Sequence, residues 1–260
     1  MPNRDLVIRD CWDYLRTATS ARIGLGRAGG SLPTSEWLHF KAAHAAARDA
    51  VHNEFDAEAI AAEIRALGAE ALVVSSAADD RATYLQRPDL GRKLSAASRC
   101  ELAACNSASS ETDLAIVVCD GLSALAVHRQ AASVLTVLLP KLHTSHWKLA
   151  PIIVARFARV ALQDEVGELL NARMALTFIG ERPGLGSPDS LGAYMVYDPR
   201  RGNTDANRNC VSNIRPEGLP PGEAAETIFY LLSAARTRGL TGVHLKDDRL
   251  LTRPARRELE

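Results

Sequence analysis

From residue 71 onward, short apolar runs alternate with stretches of helical period. The runs cover residues 71–74, 114–119, 151–154 and 174–179. Each is short enough for a buried strand. Residues 122–139 and 164–171, which separate the last three runs, carry apolar positions at helical spacing. Strand, helix, strand, helix, strand in this order requires crossover connections. That predicts a parallel sheet with helices on its faces. Residues 223–239 predict a last helix, stopped by Gly239. Polar loops are expected over 181–193 and 198–209.

The first quarter of the chain reads differently. Val7, Cys11, Tyr14 and Leu15 recur at helical period over residues 5–19. A Gly/Pro-rich loop follows over 22–34. Ser35 reads as the N-cap of a helix running to about residue 53, and Asp56 as the cap of another that stops at Gly68. The expected architecture is α/β: a helical N-terminal region, residues 1–69, followed by a Rossmann-like domain, residues 70–260. That domain is expected to hold a mostly parallel sheet with helices on both faces.

Charge and composition exclude more than they assign. The 31 basic residues cancel the 31 acidic ones, so no electrostatic footprint points to nucleic acid or an anionic membrane. No apolar run approaches the roughly 20 residues needed to cross a bilayer. Residues 1–9 are charged and lack the apolar stretch of a secretory signal. The five cysteines are an odd count, dispersed along the chain, as in a reducing compartment. Cys100 and Cys105 would share a helix, but at no usual zinc spacing.

Sheets of this type bind ligands beyond the carboxyl ends of their strands. Two segments are expected there: Asp120-Gly121-Leu122-Ser123, and the stretch from Gly180 through Glu181, Arg182 and Gly184 to Gly186. Glu181 offers acceptors and Arg182 a fork of donors. The same residues also make ordinary turns and surface ion pairs, so spacing alone leaves both readings open. Three other motifs lead elsewhere. Gly24-Leu25-Gly26-Arg27-Ala28-Gly29 spells a dinucleotide fingerprint, but without the preceding strand and following helix that give it meaning. Ser123 lacks the flanking glycines of a nucleophile elbow and reads as a helix cap. His143 and His146 are expected in a surface loop, because Pro140 precedes them.

Read in order, several strings carry a resemblance. They are residues 22–29, then Tyr84-Leu85-Gln86-Arg87-Pro88-Asp89-Leu90-Gly91-Arg92, then 120–123 and 180–185. Ser190-Leu191 with Tyr194, and Cys210-Val211-Ser212-Asn213-Ile214, complete the set. From about residue 16 to 245 the chain resembles the light (small) subunit of ethanolamine ammonia-lyase. That family's enzyme converts ethanolamine to acetaldehyde and ammonia, starting from homolysis of the cobalt–carbon bond of adenosylcobalamin. The resemblance implies a hetero-oligomer in which a barrel-shaped heavy subunit performs the radical steps. This chain would complete the cobalamin pocket, contribute no catalytic residue, and be inactive alone. A scaffold subunit that never touches the cofactor is the alternative.

Matching positions imply cofactor contacts from Val160, Glu181 and Cys210, with Arg159 and Arg182 beside the first two. An apolar wall suits the corrin ring, a carboxylate its amide fringe, and arginine the phosphate of the nucleotide tail. In some cobalamin enzymes a histidine following an aspartate by two positions replaces the benzimidazole below cobalt. None of the seven histidines here follows an aspartate in that way. Benzimidazole-on cobalamin is therefore expected, with no metal ligand from this chain. Some family members carry an N-terminal extension directing them into a bacterial microcompartment. Here the matching core begins almost at once, so the expected location is cytoplasmic.

Overall fold

The computed structural model describes residues 6–106 and 112–251. Its centre is one six-stranded sheet. Four strands are β1 (Ala71–Ser75), β2 (Thr112–Cys119), β3 (Ile152–Arg156) and β4 (Ala172–Gly180), and two more are β5 (Leu191–Tyr197) and β6 (Arg208–Ile214). The order is β1-β3-β2-β4-β5-β6. The first four are mutually parallel; β5 is antiparallel to both β4 and β6. The mixed α/β architecture with a mostly parallel sheet agrees with the pattern of apolar runs.

Helices take α1 (Thr34–His52), α2 (Ala57–Ala66), α3 (Arg81–Gln86), α4 (Ala96–Asn106), α5 (Ala124–Thr144), α6 (Leu162–Leu169) and α7 (Pro221–Arg238). β2 is buried at every position, as a parallel strand covered on both faces must be. Its Leu114, Ile116 and Val118 join the side chains of α2, α5 and α7 in one apolar cluster. Ala115, Val117 and Cys119 join Leu102 of α4 and Leu162 and Val166 of α6 in a second, on the other face. Asp56 caps α2 through a 2.9 Å bond from the Ala59 amide. Gly239, in the left-handed region at φ 65°, closes α7.

Several expectations are corrected. The N-terminal stretch is not a helix: it makes one 3-10 turn over Asp13–Thr17. Asp10 accepts from the Trp12 amide at 2.9 Å, a local bond that competes with helix. Ile8 instead pairs with Arg27 through bonds of 2.7 and 2.9 Å. The glycine loop allows this. Gly24 and Gly26 take positive φ and lie against the backbone of Trp12 and Ile8, where a Cβ would collide. That is their structural use. α1 starts one residue before Ser35, with Pro33 at the cap position and its carbonyl accepting from the Trp37 amide.

α5 runs straight through Pro140, so His143 lies in its last turn, not in a loop. Proline removes one intrahelical bond. Leu138, Leu139 and Leu142 hold these turns in the core, while Thr136, whose carbonyl loses its donor, is exposed to water. Finally, β5 and β6 occupy parts of stretches that read as polar loops or carried no strand signal. β5 points Leu191, Ala193 and Met195 inward at every second position, whereas the irregular register of β6 sets its inward Val211 and Ile214 three apart, with polar residues exposed between them. That is the pattern of an antiparallel edge, not of an apolar run.

Candidate functional site

The carboxyl ends of β1, β3, β2 and β4 lie along one edge of the sheet. Asp120, just past β2, ties that edge together. It is 1% exposed. Its Oδ1 accepts from the Ala158 amide beyond β3 at 3.1 Å, and its Oδ2 meets Arg81 at 3.1 Å. Burial raises its pKa to about 6, against the opposing pull of Arg81 and the Ala158 amide. Gly121 has φ 55° and packs on the backbone of Gly180, leaving no room for a Cβ. Ser123 caps α5, accepting from the Ala126 amide at 3.2 Å while its hydroxyl donates to the Pro188 carbonyl at 2.8 Å. This segment is therefore a structural joint. A cavity of about 630 Å³ opens beside it, lined by Arg81, Asp120, Arg156 and Phe157 among others.

The residues expected to meet a ligand fall into two groups on one face of the sheet. Arg159 and Val160, in the turn after β3, line a cleft of about 420 Å³ with Arg92, Asn203, Asp205 and Arg208. Behind it, buried Arg208 pairs with buried Asp164. Burial raises the Asp164 pKa to about 6 despite that partner. Glu181, immediately after β4, forms the second group with Tyr194 of β5 and Cys210 of β6. Tyr194 and Cys210 are register partners, so their side chains share a face. Desolvation raises the pKa of both Tyr194 and Cys210. The side-chain hydrogen bond between them raises Tyr194 further but acts in the opposite sense on Cys210, and the Glu181 carboxylate raises both. Both groups thus remain protonated near neutrality. Tyr194 and Val160 both pack on the apolar cluster beneath α6, which links the two groups. Cys210 stands exposed.

The Glu181 carboxylate is already partly engaged. Its Oε2 accepts from the Ser190 hydroxyl at 2.5 Å and from the Asn213 amide at 3.2 Å. It also packs on Gly192, beside the irregular register of β5 and β6. Oε1 retains its capacity to accept. Arg182 is exposed and makes no hydrogen bond or ion pair among the described residues. Arg159 and Arg92 likewise have no ion-pair partner there. The face therefore combines an apolar wall, an acceptor, two neutral hydroxyl or thiol groups, and unpaired cations. No cluster of three or more His, Cys, Asp or Glu side chains among the described residues can hold a metal ion. Tyr194, Tyr84 and Arg92 received no role from the sequence, although each stands in a string that carried the resemblance.

Fold and face together define a Rossmann-like α/β protein whose candidate ligand-facing residues gather at the carboxyl edge and on the adjoining β5–β6 surface. The chain belongs to the ethanolamine ammonia-lyase light chain family, whose profile matches residues 9–246. It is 52% identical over 249 residues to an ethanolamine ammonia-lyase small subunit of Azotobacter vinelandii, covering 95% of this chain and 92% of that one. A small subunit from Pseudomonas putida KT2440 is 54% identical over 238 residues, covering 91% and 88%. One from Xanthomonas campestris is 53% identical over 241 residues, covering 92% and 89%. No helix of the described residues is long and apolar enough to cross a membrane.

Proposed function

We propose that this chain is the small subunit of an adenosylcobalamin-dependent ethanolamine ammonia-lyase, and that its β4–β6 face completes the cobalamin pocket against a larger catalytic subunit in the cytoplasm. One observation carries the reading. Val160, Glu181 and Cys210 come from three separate turns and strands, yet Tyr194, which interacts with both Glu181 and Cys210, packs on the same apolar cluster as Val160. Their chemistry suits a corrin. Val160 offers an apolar wall, and Glu181 Oε1 an acceptor for amide N–H groups. Cys210 adds a neutral thiol, and Arg159 and Arg182 unpaired charge for a phosphate. Bound adenosylcobalamin supplies the radical chemistry; the protein supplies orientation and exclusion of water.

A second feature supports the larger partner. Of the eleven exposed large apolar side chains among the described residues, eight lie between Leu6 and Leu38. Such concentrated apolar exposure marks an interaction surface.

The test is Glu181→Gln in the complex assembled with the large subunit. Glutamine keeps polar partners for Ser190 and Asn213 and removes the carboxylate. Cobalamin binding, followed by absorbance, should weaken by about 1–3 kcal/mol, the scale of a hydrogen bond to a charged group, while assembly persists. Unchanged affinity in the assembled variant would remove Glu181 from the pocket.

A further inference from the structure

The string Tyr84–Arg92 has no part in the reading above, yet it surrounds Arg159. The Arg159 amide donates to the Gly91 carbonyl at 2.7 Å. Its Nη2 donates to the Tyr84 carbonyl at 3.1 Å. Its guanidinium carbon stands 4.2 Å from the centroid of the Tyr84 ring. A Cβ on Gly91 would come within 2.9 Å of the Arg159 stem and 3.1 Å of the ring, so glycine is what lets stem and ring meet. A second guanidinium, Arg81, lies over the same ring at 4.9 Å. Arg81 is itself fixed by Asp120, by the Gly121 carbonyl at 2.7 Å and by the Val51 carbonyl at 2.9 Å.

Nothing else in the described structure aims the head of Arg159. It has no ion-pair partner, and its Nε is buried without an acceptor. The ring, together with the Tyr84 carbonyl, therefore sets the plane of the guanidinium. Tyr84 is 0% exposed, and its own hydroxyl has no hydrogen-bond partner. Its aromatic face, not its oxygen, is the part in use.

We propose that Tyr84 is a positioning residue for cofactor binding: through cation–π contact and its carbonyl it presets Arg159 toward the cleft shared with Val160. The proposal rests on the reading that Arg159 meets the cobalamin. The experiment uses the assembled complex and measures cobalamin affinity by absorbance titration for wild type, Tyr84→Phe, Tyr84→Leu, Arg159→Gln and the Tyr84→Leu/Arg159→Gln double variant. Tyr84→Phe keeps the ring face and should bind like wild type. Tyr84→Leu should bind about tenfold more weakly, within the range of a desolvated cation–π contact. In the Arg159→Gln background the same leucine change should cost nothing further. A leucine penalty that persists there means Tyr84 acts on general packing and overturns the proposal. So does a Tyr84→Phe variant as weak as Tyr84→Leu, or a Tyr84→Leu variant that binds normally while Arg159→Gln does not. If Arg159→Gln itself leaves affinity unchanged, the Arg159 reading falls first and the proposal falls with it.

Discussion

A buried carboxylate that holds two strand ends together leaves a mark on the pH dependence of stability. Asp120 and Asp164 each have a folded pKa raised to about 6, chiefly by burial. The unfolded value is about 3.9. Between these values the native state binds more protons than the unfolded chain. The contribution of each group to stability is therefore fully present below pH of about 4. It is lost as pH rises through about 6 and constant above. Each accounts for at most about 3 kcal/mol, from 1.36 kcal/mol per pKa unit. The exposed carboxylates Asp80, Asp89 and Glu168, whose pKa values are lowered by local hydrogen bonds, act in the opposite sense and only at lower pH. Urea unfolding between pH 4 and 7 should show the difference. Asp120→Asn cannot titrate, so the wild-type-minus-variant stability curve should fall across that window, whatever constant offset the lost Arg81 partner adds. A flat difference curve would mean that Asp120 titrates normally in the fold.

At the scale of elements, the start of α5 is the clearest local device. Ser123 joins its cap bond to a bond with Pro188, so one hydroxyl fixes both the helix and the loop that leads into β5. Ser123→Ala should cost about 1–2 kcal/mol of stability, the range of a lost cap. It should leave ethanolamine turnover in the assembled complex intact. Lost turnover with normal stability would restore a catalytic role to this serine. The four parallel strands were legible because burial on both faces leaves continuous apolar runs. β5 and β6 were not, since β6 presents Asn209, Cys210, Ser212 and Asn213 around one inward valine. The same contrast governs the site. Arg159, Val160, Glu181 and Arg182 follow strands that could be read, so their place at the edge was predictable. Cys210 sits on a hidden strand and entered only through the family resemblance. The contact of Tyr84 with Arg159 spans 75 residues of sequence and exists only in the fold. Helix period failed over residues 6–19 because no core lies beneath that stretch, and Trp12 and Tyr14 are 60% and 68% exposed.

The molecule as a whole is unevenly finished. The sheet, α2 and α4 to α7 enclose two apolar clusters, whereas α1 buries only Ala50 among its 19 residues. Trp37 and Phe40 stack on one another at 5.7 Å with Lys41 over the indole. They leave Trp37 and Leu38 46% and 57% exposed. A helix with so little buried gains almost nothing from its own tertiary packing, which is what normally holds a helix of this length. In the reading proposed here, the large subunit covers this surface, and an obligate interface is more apolar than an ordinary protein exterior. Tryptophans at the centre of such interfaces carry a disproportionate share of the affinity. Trp12→Ala and Trp37→Ala should each weaken assembly by about 2 kcal/mol, roughly 30-fold in affinity. Because both side chains are exposed in the free chain, neither variant should lower its own unfolding temperature by much. The measurement pairs a binding titration against the large subunit with a thermal melt of the free chain. If both variants assemble at wild-type affinity, the partner lies on another face. If both melt early, the tryptophans belong to the chain's own fold. The free wild-type chain should also fail to turn over ethanolamine when supplied with adenosylcobalamin, since on this reading half of the cofactor's pocket belongs to the partner. Turnover by that chain alone would end the two-subunit account.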